Sequence, residues 1–313
     1  MSNTKDYRVL LYYKYIDMPD YEEYAEEHLQ FCKDMGLRGR IIVAPEGLNG
    51  TVSGTVEQTD AYMEYVKSDP RFADMTFKID ETDGHAFKKM FVRAKEEIVT
   101  WRLQEDVNPN ESGGTPLTPE AFHAALQEEE TVVLDGRNDY ESDIGHFRGA
   151  IKPDVSTSRE FPDWIDENID RLQGKKVLTY CTGGIRCEKL TGLLKQKGLE
   201  DVYQLQGGIV NYSQDENVQG HLFDGKCYVF DERISVKANH TDEDVVIAHC
   251  YHCGKTEDRY INCSNPECNL QYVCCLDCEE EKQAACCEEC RVHPRNRWPG
   301  IRETYAAVEA KGD

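Results

Sequence analysis

The chain has 313 residues, with 36 Lys and Arg against 59 Asp and Glu, a formal net charge of −23 and 39% hydrophobic content. That length exceeds one small core and points to two or three domains, while the acidic excess excludes a protein that grips nucleic acid by bulk charge, which leaves a basic footprint. No run approaches the roughly 20 apolar residues of a membrane helix, and the start Met-Ser-Asn-Thr-Lys-Asp lacks the apolar core of an export signal, so a cytoplasmic location without membrane attachment is expected.

In chain order, Arg8 to Tyr15 reads as a buried strand, Asp20 to Met35 as a helix, and Arg38 to Val43 and Gly50 to Ser53 as strands; a helix over Val56 to Ser68 and a strand over Met75 to Ile79 follow. The order β-α-β-β-α-β is that of a ferredoxin-like or acylphosphatase-like α+β domain over residues 1–104. Residues 105–117, Glu-Asp-Val-Asn-Pro-Asn-Glu-Ser-Gly-Gly-Thr-Pro-Leu, are rich in turn formers without apolar period and read as a linker. At Thr118-Pro-Glu a helix starts with proline in its first position. Beyond it, Thr131 to Leu134 and Lys176 to Tyr180 are strand-like runs alternating with helices, which predicts a small parallel α/β sheet over residues 118–213. From residue 214 to 313 the chain turns acidic and cysteine-rich with little apolar period, a composition that needs metal to fold.

Within the second region Cys181 follows a strand and precedes a helical pattern from about Arg186 to Lys197, the usual place for a ligand in an open α/β sheet. The loop Thr182, Gly183, Gly184, Ile185 can turn its N–H groups inward, because glycine accepts positive φ, and the helix terminus adds partial positive charge. Such surroundings favour a thiolate over a thiol that titrates near roughly 8.5. Arg186 either orients an anionic group at the loop mouth or pairs with a structural carboxylate such as Asp135. Cys187 reads either as a resolving thiol or as a core residue.

Here a resemblance becomes specific. Val132 to Ala150, Val-Val-Leu-Asp-Gly-Arg-Asn-Asp-Tyr-Glu-Ser-Asp-Ile-Gly-His-Phe-Arg-Gly-Ala, resembles the rhodanese signature, and the Cys181 loop and Gln206-Gly-Gly-Ile-Val-Asn-Tyr212 match the same fold in order and spacing. The resemblance implies a cysteine that carries a persulfide, a role that falls on Cys181; Arg186 and Asp135 are read with it as the catalytic set. Cys181 and Arg186 enclose four residues, a cradle that suits a sulfur-sized occupant better than a phosphate.

The flanks extend the likeness. Gly39 to Gly54 and Phe87 to Val99 are similar to the stretches before the rhodanese module in the tRNA uridine hydroxylase family. That resemblance implies oxygen-dependent formation of 5-hydroxyuridine at the wobble position, with molecular oxygen as co-substrate and the anticodon region of tRNA as partner. Lys88, Lys89, Arg93 and Lys95, interleaved with Phe87 and Phe91, are candidate RNA contacts, the bland alternative being an amphipathic strand with a solvated face. Arg291, Arg295 and Arg297 with Trp298 form a second candidate patch. Residues 240–290 hold twelve acids and three bases, so RNA is expected to avoid them.

Ten of the fourteen cysteines lie between Cys250 and Cys290. Cys250 with Cys253, Cys263 with Cys268, Cys275 with Cys278, and Cys287 with Cys290 supply two tetrahedral Cys₄ zinc sites, the first pair going with the third and the second with the fourth. Cys274, Cys286, His252 and His293 are possible substitutes, and an iron–sulfur cluster is the minority reading. No flavin, haem or nucleotide motif is found. Two other functions compete with hydroxylation: a rhodanese-type sulfurtransferase on the same cysteine, and a non-catalytic zinc-stabilised binding module, which would have no need of an activated thiol.

Overall fold

A computed structural model describes residues 5–103 and 107–299. The first unit runs β1 (Tyr7–Tyr15), α1 (Tyr21–Asp34), β2 (Arg38–Ala44), β3 (Gly47–Thr55), α2 (Val56–Ser68), β4 (Lys78–Thr82) and β5 (Met90–Ala94). Thr55 and Gln58 form a reciprocal cap that starts α2. The five strands lie in the order β4-β1-β3-β2-β5. Successive strand residues face opposite sides. Leu10, Tyr12, Ile41, Val43, Leu48, Val52 and Val92 therefore meet Tyr62 and Val66 in a core under the helices. The sequence order is as expected, with two differences. The fourth strand begins at Lys78 rather than Met75, because Met75 is buried in the helix-side core after a turn bonded to Phe72. A fifth strand, β5, joins the edge parallel to β2, a long-range pairing with no local signal.

The second unit comprises α3 (Pro109–Ser112), β6 (Thr115–Leu117), α4 (Pro119–Ala125), β7 (Thr131–Asp135), α5 (Asp139–Ser142), β8 (Gly145–Phe147), α6 (Phe161–Asn168), β9 (Lys176–Tyr180), α7 (Ile185–Gln196), β10 (Val202–Leu205) and α8 (Gly208–Gln214). Its parallel sheet has the order β6-β10-β9-β7. Val177 and Leu134 face one core, with Trp164 and Leu190, while Leu178 and Val133 face the other, with Phe122 and Tyr212. Two parts of the chain read as lying outside this unit contribute to it. The expected linker supplies α3 and β6, and Trp101 stacks on Phe161 with ring centres 5.6 Å apart.

The chain continues through β11 (Phe223–Tyr228), β12 (Ser235–Lys237), β13 (Tyr260–Asn262), β14 (Gln271–Val273), α9 (Leu276–Lys282) and α10 (Glu288–Arg291). Residues just past 214 pack with the second unit: β11 pairs with β8, and Phe223, Cys227 and Ala238 belong to the core around Phe147. The cysteine-rich part begins near His249, and its own core is mostly cysteines around Ile261 and Tyr272. The first unit is fastened onto α7 by Lys189, whose buried ammonium lies 2.8 Å from Glu46 and 3.2 Å from Glu97. Among the described residues no helix is long and apolar enough to cross a membrane.

Candidate active site and metal centres

Cys181 leaves the carboxyl end of β9, and Gly184, with φ of 105°, turns the chain into α7. The Cys181 Sγ accepts the Gly184 N–H at 3.1 Å. A second glycine turn braces the loop from behind: Ile209 and Val210 donate their N–H groups to the carbonyls of Cys181 and Thr182 at 3.0 and 3.1 Å. A Cβ on Gly208 would stand 2.5 Å from the Cys181 carbonyl oxygen, so only glycine permits this approach. Burial opposes ionisation of Cys181, but the Cys187 thiol, the Arg186 charge and the backbone N–H groups of residues 186 and 187 prevail and hold the thiol down to about 5. Cys187 is buried and pushed well above its ordinary value by burial and by Cys181. It thus remains a protonated partner that donates to the thiolate.

Arg186 makes a two-pronged ion pair with Glu141 at 2.5 and 2.8 Å and touches Thr182 Oγ1 at 3.3 Å. Of the two readings of Arg186, the structure shows the pairing with a structural carboxylate, and that carboxylate is Glu141 rather than Asp135. Asp135 binds Arg137 through both oxygens, at 2.8 and 2.6 Å, and accepts the Tyr180 hydroxyl at 2.6 Å. Fully buried and saturated in this way, Asp135 holds β7 to the β8 turn and stands behind the site rather than in it.

Three residues that the sequence did not single out complete the surroundings. From the first unit, Leu11 would meet a Cβ on Gly183 at 2.8 Å, and the Tyr13 hydroxyl one on Gly184 at the same distance, so the loop glycines also admit β1. Tyr13 donates to Glu188 at 2.9 Å, and the Lys78 ammonium lies 5.1 Å from the Tyr13 ring centre. Burial pushes Lys78 down to about 8, against the pull of Cys181 and Glu188. These contacts join β1 and β4 to α7 across more than a hundred residues, and no local pattern announces them. Cys181 has no exposed surface. Beside its loop a cleft of about 640 Å³ is lined by Leu11, Lys78, His85, Thr182 and Phe230, and the loop reaches it through Thr182.

Of the proposed RNA contacts, Lys88, Lys89, Arg93 and Lys95 are exposed at or beside β5, but Phe87 is buried and only Phe91, 42% exposed, is free to stack. Lys88 pairs with Glu232 at 3.0 Å. In the second patch Arg291 is bound to Glu288 and Arg295 to Glu267, and Trp298 packs on the cysteine-rich core.

The cysteines form two groups that could hold a metal ion, Cys250, Cys253, Cys275, Cys278 and Cys263, Cys268, Cys286, Cys290, with all ligand atoms of each group within 4.8 Å of one another. Sulfur separations of 3.8 Å (Cys253 to Cys275) and 3.7 Å (Cys268 to Cys286, and Cys286 to Cys290) match the edge of about 3.8 Å for a tetrahedron with metal–sulfur bonds of about 2.3 Å. Cys286 stands where Cys287 was expected. Cys287 forms the cap of α10 and is exposed, with its sulfur 3.9 Å from that of Cys286.

Comparison with known proteins matches residues 7–98 to the UPF0176 acylphosphatase-like domain, 118–215 to the rhodanese-like domain and 224–291 to the rhodanase C-terminal region. A tRNA uridine(34) hydroxylase from Bacillus licheniformis is 61% identical over 290 residues, 93% of this chain and 90% of the relative. One from Oceanobacillus iheyensis is 58% identical over 296 residues, 95% and 91% of the two. Among solved structures, a rhodanese-like domain from Anabaena sp. is 21% identical, covering 42% of this chain and 90% of that one, with a TM-score of 0.30.

Proposed function

Because the chain belongs to the tRNA uridine(34) hydroxylase family, we propose that it hydroxylates carbon five of the wobble uridine of tRNA in the cytoplasm, with molecular oxygen as co-substrate and Cys181 as the active thiolate. The observation that carries the assignment of the residue is the sulfur itself: it sits in a backbone cradle whose next residue, Thr182, lines a cleft of about 640 Å³, within the range that encloses a small ligand. Phe230, 46% exposed, lies over the Arg186 guanidinium on the cleft wall and offers a stacking surface for an unpaired base. The two cysteine groups take structural zinc, since four thiolates each close the coordination shell.

In the proposed chemistry the thiolate adds to carbon six of the uracil, and the displaced π pair makes an enolate at carbon five. That carbon bonds to oxygen; the second oxygen atom leaves as water, with two electrons from an external reductant, and loss of the carbon-five proton and of the thiolate restores the ring. The loop N–H groups and Lys78 balance the anions on this path. Cys181 and Lys78 together set a pH window. As pH falls through about 5 the Cys181 thiolate is protonated, and as it rises through about 8 Lys78 loses its charge. The rate should be highest between these limits, and Lys78→Met should remove the alkaline limb and raise the pH at which Cys181 ionises. An alkaline limb unchanged in that variant would take Lys78 out of the site.

The function is tested by nucleoside mass spectrometry of tRNA from cells lacking the protein. Loss of 5-hydroxyuridine derivatives, restored by the wild-type chain, is the expected result. Loss of thiolated nucleosides instead would mean that Cys181 passes on persulfide sulfur as a sulfurtransferase.

A further inference from the structure

We infer that the open face of the N-terminal sheet is a track for single-stranded RNA, leading the anticodon strand from the β5 edge to the cleft beside the Cys181 loop. The inference rests on the tRNA reading and names the surface that would serve it. Helices α1 and α2 cover one face of the sheet, so the residues alternating with that core lie on the other. Strand register sets five of them in one transverse row: Lys78 opposite Leu11, Leu11 opposite Thr51, Thr51 opposite Arg40, and Arg40 opposite Phe91. At a strand spacing of about 4.8 Å the row spans roughly 19 Å. One end is Lys78 and Leu11, against the Cys181 loop and lining its cleft. The other end is an exposed aromatic ring with the Arg93 guanidinium 5.3 Å from its centre.

Charge argues for the occupant. In a chain of net charge −23, Arg38, Arg40, Lys89 and Arg93 are gathered and exposed on or beside this face, and none of them has a carboxylate partner among the described residues. Toward the carboxyl end of β1 the same face closes, as Tyr13, Tyr15 and Ile42 pack on Ile98 and Ile185. On the other side Val9 is buried with Ala86 and Phe87, so a strand lying on the face is confined to the Arg40 row, with cations for phosphates and one aromatic ring for a base. An open sheet that combines stacking rings with cations suits unpaired RNA, while a duplex keeps its bases out of reach.

The test uses the full-length protein and a fluorescent anticodon stem-loop with uridine at its wobble position, titrated at several salt concentrations. The Arg40→Ala/Arg93→Ala variant should bind roughly tenfold or more weakly, with the salt slope reduced by about one per arginine and the ionisation of Cys181 unchanged. Wild-type hydroxylation with unaltered affinity and slope in the variant would overturn the track and leave the proposed function standing. A wild-type protein that neither binds nor modifies the RNA would overturn both.

Discussion

The Cys181→Ser variant is expected to lower uridine hydroxylation by more than roughly a thousandfold while leaving thermal unfolding nearly unchanged. The two side chains differ little in volume, and the serine oxygen can accept the same Gly184 N–H. What the substitution removes is the anion. The cradle holds the thiol down to about 5, so at neutral pH the wild-type sulfur is already ionised, whereas the same donors cannot bring an aliphatic hydroxyl into that range. The check is nucleoside analysis of tRNA treated with each protein, together with the wild-type-minus-variant thiolate absorbance as a function of pH. That difference isolates one thiol among fourteen and should appear as pH rises through about 5. Substantial activity in the serine variant, or a difference that appears only in the ordinary thiol range, would dismiss Cys181 as the reactive group.

The position of this cysteine was legible in the sequence because its causes are local. A strand, two glycines and a helix start lie within ten residues, and each imposes its geometry on its neighbours. Arg8 to Tyr15 was legible as a strand for the same reason, and the β-α-β-β-α-β order came from it and the segments that follow. What escaped notice depends on pairing over long separations. Glu141 captures Arg186, and Lys78 reaches the loop from another unit; both facts belong to how sheets stack, which no periodicity records. The choice of Cys286 over Cys287 is a subtler case. A CxxC habit favours Cys287, yet the turn into α10 makes that residue the cap, and its predecessor joins the sulfur group.

The metal centres turn that last point into an expected result. Per chain, the wild type and the Cys287→Ser variant should each carry two zinc ions, and Cys286→Ser only one, measured by elemental analysis after gel filtration. Structural zinc contributes about 10–16 kcal/mol to folding in small peptides, and this region has little apolar core besides its cysteines, so losing a site should unfold the segment around it. Consequences should reach Cys181 through a short chain of contacts. Tyr260 on β13 donates its hydroxyl to the Tyr140 carbonyl at 2.6 Å, and Tyr228 donates to Gln271 on β14 at 2.6 Å. Tyr140 precedes Glu141, the partner that fixes Arg186 beside the thiolate. A chelator strong enough to strip both sites should thus raise hydrogen exchange across residues 249–298 first and then loosen α5, lowering hydroxylation while the parallel sheet stays protected. If Cys286→Ser retains two zinc ions and Cys287→Ser loses one, the ligand set is the one that CxxC spacing suggests, with Cys287 in place of Cys286.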